Sequence, residues 1–462
     1  MGISSLGAGS SILTQDVIDQ LKAADESKFV APVNKSLRAE DSKLTAYDVM
    51  NAYMDNVYES LKSLTSYGVF ESRTALSSNE NALEVSAKES SDIQDFSIEV
   101  ELLATKEIEQ SGSLHTRDAT ISTGSGKFEL AVGTETFTLN YDNTTTLEGL
   151  KELINKEAGD SVNAIVVQVA DNDFRLLLSA TKTGVSQDIS IVDVVGEGET
   201  LNTAFTTDMS NVQDGVDAKF KFNGVAITRS SNSVDDLLAG VTLTLKEANV
   251  GTKIDVSVGQ NREHIQERMT NFIDKYNSAM TQLNTDTKSS QAVSERGVFS
   301  SDSTIKGMKY NLVNMMSTLG EGSGKIEDYG IKFDDTGRLT LDSELLNKKL
   351  DSDATSTQAF FVGGTFTKDD GSTVELSGAF DELESEVAKY SKFGSILDSY
   401  KDSIDLRIKS LNEQKEKAVE RLNSNYAIMA KRFAAYDLMI NKFNNASDMF
   451  TQMINAEITA RS

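Results

Sequence analysis

Apolar side chains near both ends of the chain recur with a spacing of three and four residues. This spacing keeps a narrow apolar stripe on one side of a helix and favours packing against a second helix. One such stripe predicts a long helix at the carboxyl end, formed by Tyr426, Met429, Phe433, Tyr436, Ile440, Phe443, Phe450 and Ile454. Another predicts a helix near the amino end, formed by Tyr47, Met50, Met54, Val57, Leu61 and Leu64. We interpret both stripes as seams through which the ends associate with each other or with further copies.

A single stripe of this length is also compatible with a core helix of an ordinary helical domain. Two stripes at opposite ends, separated by a long segment of a different pattern, favour association instead. An unpaired seam leaves many apolar side chains in water and forgoes the stabilisation that their burial provides. We therefore expect residues 1–40 and 411–462 to be largely disordered in an isolated chain.

Between the two ends the apolar residues follow a period of two, which is typical of half-buried strands. The alternation is clearest at Phe96, Ile98, Val100 and Leu102, and strand-like segments continue to about Val258. Helical periodicity returns near Ile265, and a β hairpin is predicted within 360–376. This order predicts an α+β multidomain protein, in which β-rich heads are inserted into a helical domain and long terminal helices form a coiled-coil leg.

We predict four structural parts, three of which are built from two separated segments. They are a terminal helical leg (1–40 and 411–462), a helical leg domain with a β hairpin (41–70 and 260–410), an inner β-rich head (71–113 and 217–259) and an outer head (114–216). Within the heads, the segments that begin at Lys127 and Lys219 share an order of residues. This order predicts a repeated unit of strand, turn, strand and short helix, although a chance resemblance stays open.

The charge of the chain excludes several classes of partner. The 462 residues include 45 Lys and Arg against 71 Asp and Glu, for a net charge of -26. Nucleic acid and anionic membranes are poor partners for such a surface, because phosphate binding draws its affinity from clustered Lys and Arg. From Lys401 onward, 10 basic residues are balanced by 8 acidic ones, so the carboxyl-terminal helix is nearly neutral, which suits association.

Other sequence features bear on the compartment in which the protein acts. Cysteine is absent, so neither a disulfide nor a thiolate metal site can form. No apolar run reaches the length of about 18 residues that a membrane span needs. Residues 1–14 are rich in Gly and Ser and lack the basic start and apolar core of a cleaved signal peptide. We expect that a protein of this kind would leave the cell without a cleaved signal.

No motif in the sequence predicts catalysis, a cofactor or a metal. Residues 122–127 and 320–325 resemble phosphate-binding loops, but each lacks the first Gly and the final hydroxyl residue of that motif. His115 and His264 have no second histidine at zinc spacing, and paired Asp residues are better explained by turns than by a calcium loop. We predict that the protein is not an enzyme. A secreted glycan- or peptide-cleaving enzyme with two distant carboxylates stays open as an alternative.

Four stretches of the sequence are similar to segments of one known family. They are the start, GISSLGAGSS, then Ile154-Asn155 followed by FRLLLS, then residues 217–277 from DAKFKFNG to FIDKYN, and finally YGIKFDDTGRLTL. In this order they resemble the amino terminus, the flagellin "IN" motif, the central signature and the carboxyl-terminal region of the flagellar filament cap proteins, also called hook-associated protein 2. The resemblance covers nearly the whole chain.

The resemblance implies an assembly protein at the distal tip of the bacterial flagellar filament. Cap proteins place helical legs in the filament and a β-rich plate over its open end, where exported flagellin folds and inserts. The resemblance implies a homo-oligomer of five or six copies, flagellin as a partner, and an export chaperone that binds the carboxyl-terminal region. It also implies an extracellular location after type III export, and the heads could in addition adhere to a surface.

Two readings of the same pattern stay open beside the cap. A hook-filament junction protein or a flagellin also has paired terminal helices, although the stretch at 217–277 argues against both. An adhesin carried on a coiled-coil stalk, or a flagellin-like adhesin, would likewise combine β-rich heads with long helices.

Overall fold

The computed structural model describes residues 14–66, 68–194, 198–320, 323–335, 337–368 and 370–461. The chain divides into two compact units. The first, which we call the helical unit, comprises Met1–Ser66 and Gln266–Ser462, and the second, the β unit, comprises Tyr67–Ile265. The motif predicted at residues 2–11 lies outside the described residues.

The chain leaves the helical unit after its first two helices and returns to it at residue 266. The α-helices are α1 (Gln15–Phe29), α2 (Ala31–Thr65), α3 (Leu147–Ala158), α4 (Arg262–Asp286), α5 (Ser303–Thr318), α6 (Ser343–Ser352), α7 (Ala354–Val362), α8 (Ala379–Ser391) and α9 (Ile396–Arg461). The strands of the β unit are β1 (Arg73–Ser77), β2 (Leu83–Ala87), β3 (Gln94–Leu102), β4 (Lys106–Gln110), β5 (Gly126–Val132), β6 (Glu135–Tyr141), β7 (Val162–Ala170), β8 (Asp173–Thr183), β9 (Ile189–Asp193), β10 (Ser210–Gln213), β11 (Ala218–Phe222), β12 (Val225–Arg229), β13 (Ser233–Leu238), β14 (Val241–Leu245) and β15 (Ile254–Gln260). Two hairpins of the helical unit follow, β16 (Ile331–Phe333) with β17 (Leu339–Leu341) and β18 (Gly364–Thr367) with β19 (Thr373–Leu376).

The amino-terminal arm consists of two helices that are separated at a single residue. Thr14 caps the start of α1, and its hydroxyl accepts a hydrogen bond from the N–H of Val17. Val30 separates the helices, and Pro32 lies in the first turn of α2, where the missing N–H costs little because that group has no partner within the helix. The Pro therefore marks where a helix begins.

A cluster of aromatic rings fills the core of the helical unit. The ring of Phe380 lies 5.4 Å from that of Phe272 and 4.9 Å from that of Phe361, and the rings of Tyr329 and Phe360 stack at 3.8 Å. Each such pair contributes about 0.5–1.5 kcal/mol beyond the burial of its area. The hairpin predicted within 360–376 therefore begins only at Gly364, because the rings of Phe360 and Phe361 are buried in this cluster as part of α7.

Asn277 links α4 to the hairpin of β16 and β17. Its buried side-chain amide donates a hydrogen bond to the carbonyl oxygen of Leu339 at 2.9 Å and accepts one from the N–H of Leu339 at 2.8 Å. The neighbouring Tyr276 is equally buried, but no described group hydrogen bonds with its hydroxyl. Burial raises the pKa of this phenol above its usual value. Two neighbouring buried residues of the FIDKYN stretch thus differ, because Asn277 has hydrogen-bond partners and the Tyr276 hydroxyl has none among the described groups.

The inner part of the β unit is a sandwich of two antiparallel sheets. A five-stranded sheet of order β1-β15-β3-β11-β12 faces a three-stranded sheet of order β13-β14-β2. Strands from before and after the outer part pair directly, as β3 does with β15 and β11. The core between the sheets consists of buried apolar side chains that include Phe96, Ile98, Val100, Phe220 and Leu243.

The outer part of the β unit contains a second core. A four-stranded sheet of order β10-β4-β8-β7 and a three-stranded sheet of order β6-β5-β9 enclose it together with α3. Because β4 pairs with β8 and β10, the outer part begins near Lys106, and the boundary predicted at residue 114 is wrong. The second repeated unit is also wrong at its end, since Ser233–Leu238 forms β13 instead of a short helix, with Val234 buried against β14.

Paired backbone segments join the inner and outer parts of the β unit. The N–H of Thr105 donates to the carbonyl of Val216 at 3.0 Å, so the outgoing and returning segments hold each other. Asn232 hydrogen bonds with both backbone groups of Ala104, at 2.7 and 2.9 Å. At a third point the carboxylate of Asp217 accepts from the N–H of Val185 at 3.0 Å. Three separate contacts therefore restrain the joint.

Replacing Asn277 by Ala should lower the free energy of unfolding of the helical unit by about 2–4 kcal/mol, because both backbone groups of Leu339 lose a buried partner. Tyr276→Phe is the matched control and should stay within about 0.5 kcal/mol of the wild type, since its hydroxyl has no partner to lose. Urea unfolding followed by far-UV circular dichroism measures both. Equal stability of the two variants would show that the Asn277 clamp contributes nothing.

Gly184→Ala should loosen the joint between the inner and outer parts. Gly184 has φ +108°, and an added Cβ would lie 2.7 Å from Cβ of Ser230 and 2.9 Å from Oδ1 of Asp217. Gly251→Ala is the control, because its φ of +81° imposes similar backbone strain while nothing lies within 4 Å. Hydrogen-deuterium exchange should become faster at 183–187 and 214–218 in the first variant only. Unchanged exchange at both segments would contradict a restrained joint.

Candidate assembly surfaces on the terminal helices

The predicted seam near the amino end is buried inside the helical unit. Its six residues, Tyr47, Met50, Met54, Val57, Leu61 and Leu64, are at most 3% exposed. They lie on α2, which packs against α8 and α9 of the same chain. The ammonium group of Lys392, in the turn between α8 and α9, lies 3.7 Å from the centre of the Tyr58 ring and strengthens this contact. This seam therefore holds one copy together and presents no surface to another.

The seam near the carboxyl end begins in a similar environment. Tyr426 is buried in a small cluster with Ile18 and Val30, and Met429 and Phe433 pack against the same cluster. The hydroxyl of Tyr426 donates a hydrogen bond to the carboxylate of Asp25 at 2.9 Å. This contact and burial raise the pKa of the phenol, burial being the larger cause. α1 thus covers the first third of the seam.

The two amino-terminal helices run antiparallel to α9. Asp25 meets Tyr426, whereas Glu40, further along the arm, lies 4.0 Å from Arg407, further back on α9. The arm and α9 therefore run in opposite directions where they pack together. α1 begins at Gln15, so the described part of the arm ends while α9 continues to Arg461.

Beyond Phe433 the same apolar stripe faces water. Tyr436 is 55% exposed, Phe443 81%, Phe450 66% and Ile454 57%, while Ile440 is half-buried. Further apolar side chains of this segment are exposed as well, namely Leu438, Met439, Met449, Met453 and Ile458. We call residues 436–458 the exposed tail of α9. Burying one such side chain is worth about 1.5–3 kcal/mol, so the tail has a strong drive to associate.

Few charges oppose association of the exposed tail. Lys442 contributes one positive charge, and Asp437, Asp448 and Glu457 contribute three negative ones. The whole chain carries a net charge of -26, most of which therefore lies elsewhere. Asp437 is buried. Because repulsion between exposed charges is screened beyond about 8 Å at physiological salt, the other three charges are a weak barrier to contact between tails.

The IN motif has a structural role that its sequence did not reveal. Ile154 is fully buried in the core of the outer part. The amide of Asn155 donates to the carbonyl oxygen of Ala164 at 2.8 Å and accepts from the N–H of Ala164 at 2.7 Å. Asn155 therefore pairs with β7 as a residue of a neighbouring strand would. Only the position of Ala164 on β7, which depends on the fold, could have indicated this.

The residues considered for chemistry do not converge on a reactive site. Gly126 and Lys127 lie in β5, paired with β6, instead of in a phosphate-binding loop. His115 is exposed, and His264 lies in the first turn of α4. In the part of the chain that the structure describes, no group of three or more His, Asp or Glu residues could hold a metal ion. Within that same part, no helix is long and apolar enough to cross a membrane.

Two arrangements of carboxylates were candidates for catalysis. A cleft of 850 Å³ beside α3 is lined by Glu135, Glu157 and Asp160, but all three residues are exposed. Glu107 and Glu109 form the second arrangement, in which the amide of Asn211 donates to both carboxylates at 2.6 and 3.1 Å. Burial, followed by the charge of Glu107, raises the pKa of Glu109. Glu107 also accepts from the N–H of Gly215, so this pair braces the returning segment of the joint.

Comparison with protein families gives two matches that together span most of the chain. The profile described as "Flagellar hook-associated protein 2 C-terminus" matches residues 215–445, which is half of the chain. The profile described as "Flagellar hook-associated protein 2 N-terminus" matches residues 10–107. The matched regions contain α2, the inner strands and most of α9, but leave the last part of the exposed tail outside.

Individual relatives differ in how much of their length this chain covers. The flagellar hook-associated protein 2 of Helicobacter pylori (strain ATCC 700392 / 26695) is 29% identical over 381 residues, which are 80% of this chain and 55% of that protein. The protein from Helicobacter pylori (strain J99 / ATCC 700824) is 33% identical over 53% of this chain and 36% of its own length. The chain therefore spans about half or less of these relatives. The Salmonella typhimurium protein is 26% identical over 98% of both chains.

A solved structure shares the fold. The D1-D2-D3 domains of the flagellar cap protein FliD from Escherichia coli superpose with a TM-score of 0.61 and 21% identity. The superposition covers 78% of this chain and 99% of that one. The mixed α and β multidomain architecture is therefore confirmed.

Charged substitutions should separate the two environments of the seams. Leu61→Asp places a charge at a fully buried position and should lower the free energy of unfolding by more than about 3 kcal/mol. Phe443→Asp changes an exposed position and should alter it by less than about 0.5 kcal/mol in dilute monomer. Thermal unfolding at low protein concentration measures both. If Phe443→Asp were as damaging as Leu61→Asp, the tail would have to be packed within its own chain.

Proposed function

Because this chain belongs to the flagellar hook-associated protein 2 family, we propose that it caps the distal end of a bacterial flagellar filament, where it promotes the folding and insertion of exported flagellin. The structural observation that supports an assembly role best is the exposed tail of α9, and the family match along both ends of the chain favours the cap among assembly roles. An apolar and nearly uncharged stripe on the end of a 66-residue helix is suited to assembly and to no chemistry that we can identify.

The exposed tail is proposed as the part of the leg that contacts other subunits. At 1.5 Å per residue, the helix beyond Phe433 extends for about 40 Å. In the proposed cap, tails of several copies bury Phe443, Phe450 and Ile454 against one another and against flagellin. The family resemblance implies five or six copies. Exposed side chains spread along a helix give contacts that are individually weak, which allows a cap to detach and rebind as subunits enter.

The buried seam on α2 has a different task in the proposed mechanism. Because α2, α8 and α9 hold the helical unit together within one copy, the tail can exchange partners without unfolding the rest. The β unit supplies the plate in this proposal. Its restrained joint, through Thr105, Asp217 and Asn232, would keep the inner and outer parts in fixed register above the growing end.

Further partners follow from the same surface. Before assembly, an export chaperone that binds the carboxyl-terminal region would cover the exposed apolar side chains of the tail and prevent premature association. Export through the flagellar type III channel, without a cleaved signal, would place the protein outside the cell at the filament tip. Absence of cysteine is compatible with passage of an unfolded chain through such a channel.

The main alternative is an adhesin carried on a stalk of the same helices. In that case the tail would assemble the stalk, and the β unit would bind a surface. The exposed tail alone does not favour one over the other, since both need self-association. The match to the cap family along both the amino-terminal and the carboxyl-terminal segments supports the cap.

Replacing Phe443 and Phe450 by Asp should abolish capping while leaving the subunit folded. Cells that carry this double variant should secrete flagellin into the medium as monomer and build short filaments or none, because two charges in an apolar interface cost several kcal/mol. Filament length by electron microscopy and flagellin in the medium by immunoblot measure the outcome. Phe393→Asp is the matched control, since Phe393 is 105% exposed but lies in the turn before α9.

Two other outcomes would decide against the proposal. Filaments of normal length in the double variant, after loss of self-association has been verified in vitro, would refute capping. Normal filaments together with weaker attachment of cells to surfaces would favour the stalked adhesin.

A further inference from the structure

β7 is an unusual edge strand. It lies at one edge of the four-stranded sheet, and residues 161–170, SVNAIVVQVA, contain no charge. Charged side chains normally guard edge strands against pairing with another chain. Each other edge strand of the β unit's described sheets contains a charged residue, except the four-residue β10. The edge strands with charges are β1, β2, β6, β9, β12 and β13.

The pairing with β8 shows which backbone groups of β7 face outward. Phe174 and Leu176 of β8 direct their N–H and C=O groups away from β7, to Leu114 and Ser111. Their partners on β7 are Gln168 and Val166, and the next pair in this series contains Ala164. In an antiparallel pair of strands, when one residue directs its backbone N–H and C=O away from the residue opposite, that opposite residue also directs its own groups away. The N–H and C=O groups of Ala164, Val166 and Gln168 therefore point to the free edge.

Asn155 closes one end of this edge. Its amide occupies both outward groups of Ala164, at 2.7 and 2.8 Å. Val166 and Gln168 have no such partner among the described residues. The open part of the edge is therefore short and sharply defined, with one residue, Val167, at its centre.

The side chains around this open part are apolar and accessible. Ile165 is 45% exposed, Val169 is 55% exposed and Val167 is half-buried, all on the face opposite the core. The core face carries Val166 and Ala164, which are buried. The open edge thus combines free hydrogen-bonding groups with an accessible row of apolar side chains.

We propose that this edge binds the β7 strand of a second copy, antiparallel and across a two-fold axis through Val167. In that register Val166 of one copy exchanges both backbone hydrogen bonds with Gln168 of the other, and the symmetric pair does the same, which gives four bonds. Ile165 of each copy then lies beside Val169 of the other. Two four-stranded sheets join into one continuous sheet.

A second copy fits this edge better than an unrelated strand for two reasons. The strand is symmetric about Val167. Apolar side chains lie at 165, 167 and 169, and free outward backbone groups lie at 166 and 168, so two copies of the strand match each other when they pair antiparallel. With a net charge of -26, two copies repel each other over most of their surface, and the uncharged stretch at 161–170 is a place where they can approach. This contact uses the outer part of the β unit and does not depend on the proposed capping function.

A disulfide at the axis tests the proposal directly, because the chain has no cysteine of its own. Residues opposite each other at a non-hydrogen-bonded position have Cα atoms about 4.5 Å apart, within the range that a disulfide spans. Full-length Val167→Cys should therefore form a covalent dimer under mild oxidation. The matched control is Val192→Cys on the edge strand β9, which is 57% exposed and thus more accessible to random collision. Val167→Cys should cross-link at least about tenfold faster.

A second substitution tests the hydrogen bonds. Gln168→Pro removes an outward N–H without touching the bonds from β7 to β8, and a proline is tolerated at such an edge position. In the Val167→Cys background it removes two of the four bonds and should slow cross-linking about tenfold. Ile165→Lys, which sets a charge beside the partner's strand, should have the same effect and serves if the proline variant fails to fold.

The proposal is overturned if Val167→Cys cross-links no faster than Val192→Cys, or if neither Gln168→Pro nor Ile165→Lys slows it. Repeating the measurement with Phe443 and Phe450 replaced by Asp separates this contact from leg assembly. Cross-linking should persist in that background, because β7 and the exposed tail belong to different units.

Discussion

The structure of this protein depends on one long helix, α9, whose last part extends beyond the described helices that pack along it. α9 provides a continuous apolar stripe, and the chain folds back so that α8, α2 and then α1 pack along it in turn. Where this packing is complete, apolar burial holds the helical unit together. Where it ends, after Phe433, the same kind of side chain is left in water. The stability of one copy and its tendency to bind others thus arise from the same stripe.

Separate segments of the chain are connected by a second recurring interaction. Asn155, Asn232 and Asn277 each use one side-chain amide to pair with both backbone groups of a single residue in another segment. Such a pair replaces a peptide group of a neighbouring strand, and it leaves no buried donor or acceptor without a partner. Because hydrogen bonds are directional, these contacts fix the relative position of the two segments, which apolar burial alone would not do.

Charge and apolar exposure divide the surface into regions with different capacities for association. The excess of acidic residues keeps most of the surface repulsive toward a second copy. The exposed tail and the edge of β7 are two places at which apolar side chains are accessible and charges are few. A protein that assembles must confine association to a few surface regions, because contacts that form anywhere on the surface would lead to aggregation.

The sequence by itself determined the class of architecture, because the period of the apolar residues depends only on local backbone geometry. Periods of 3.5 and 2 separated the helices at both ends from the strands between them, and they placed α2 and α9 correctly. Periodicity cannot say what covers a stripe, so Tyr426 and Phe443 look equivalent in sequence although only Tyr426 is buried. Residues 233–238 became a strand because β14 pairs with them, and Asn155 gained its role from the position of Ala164. These outcomes are decided by partners in the next element of the fold, whose position the period of apolar residues does not give.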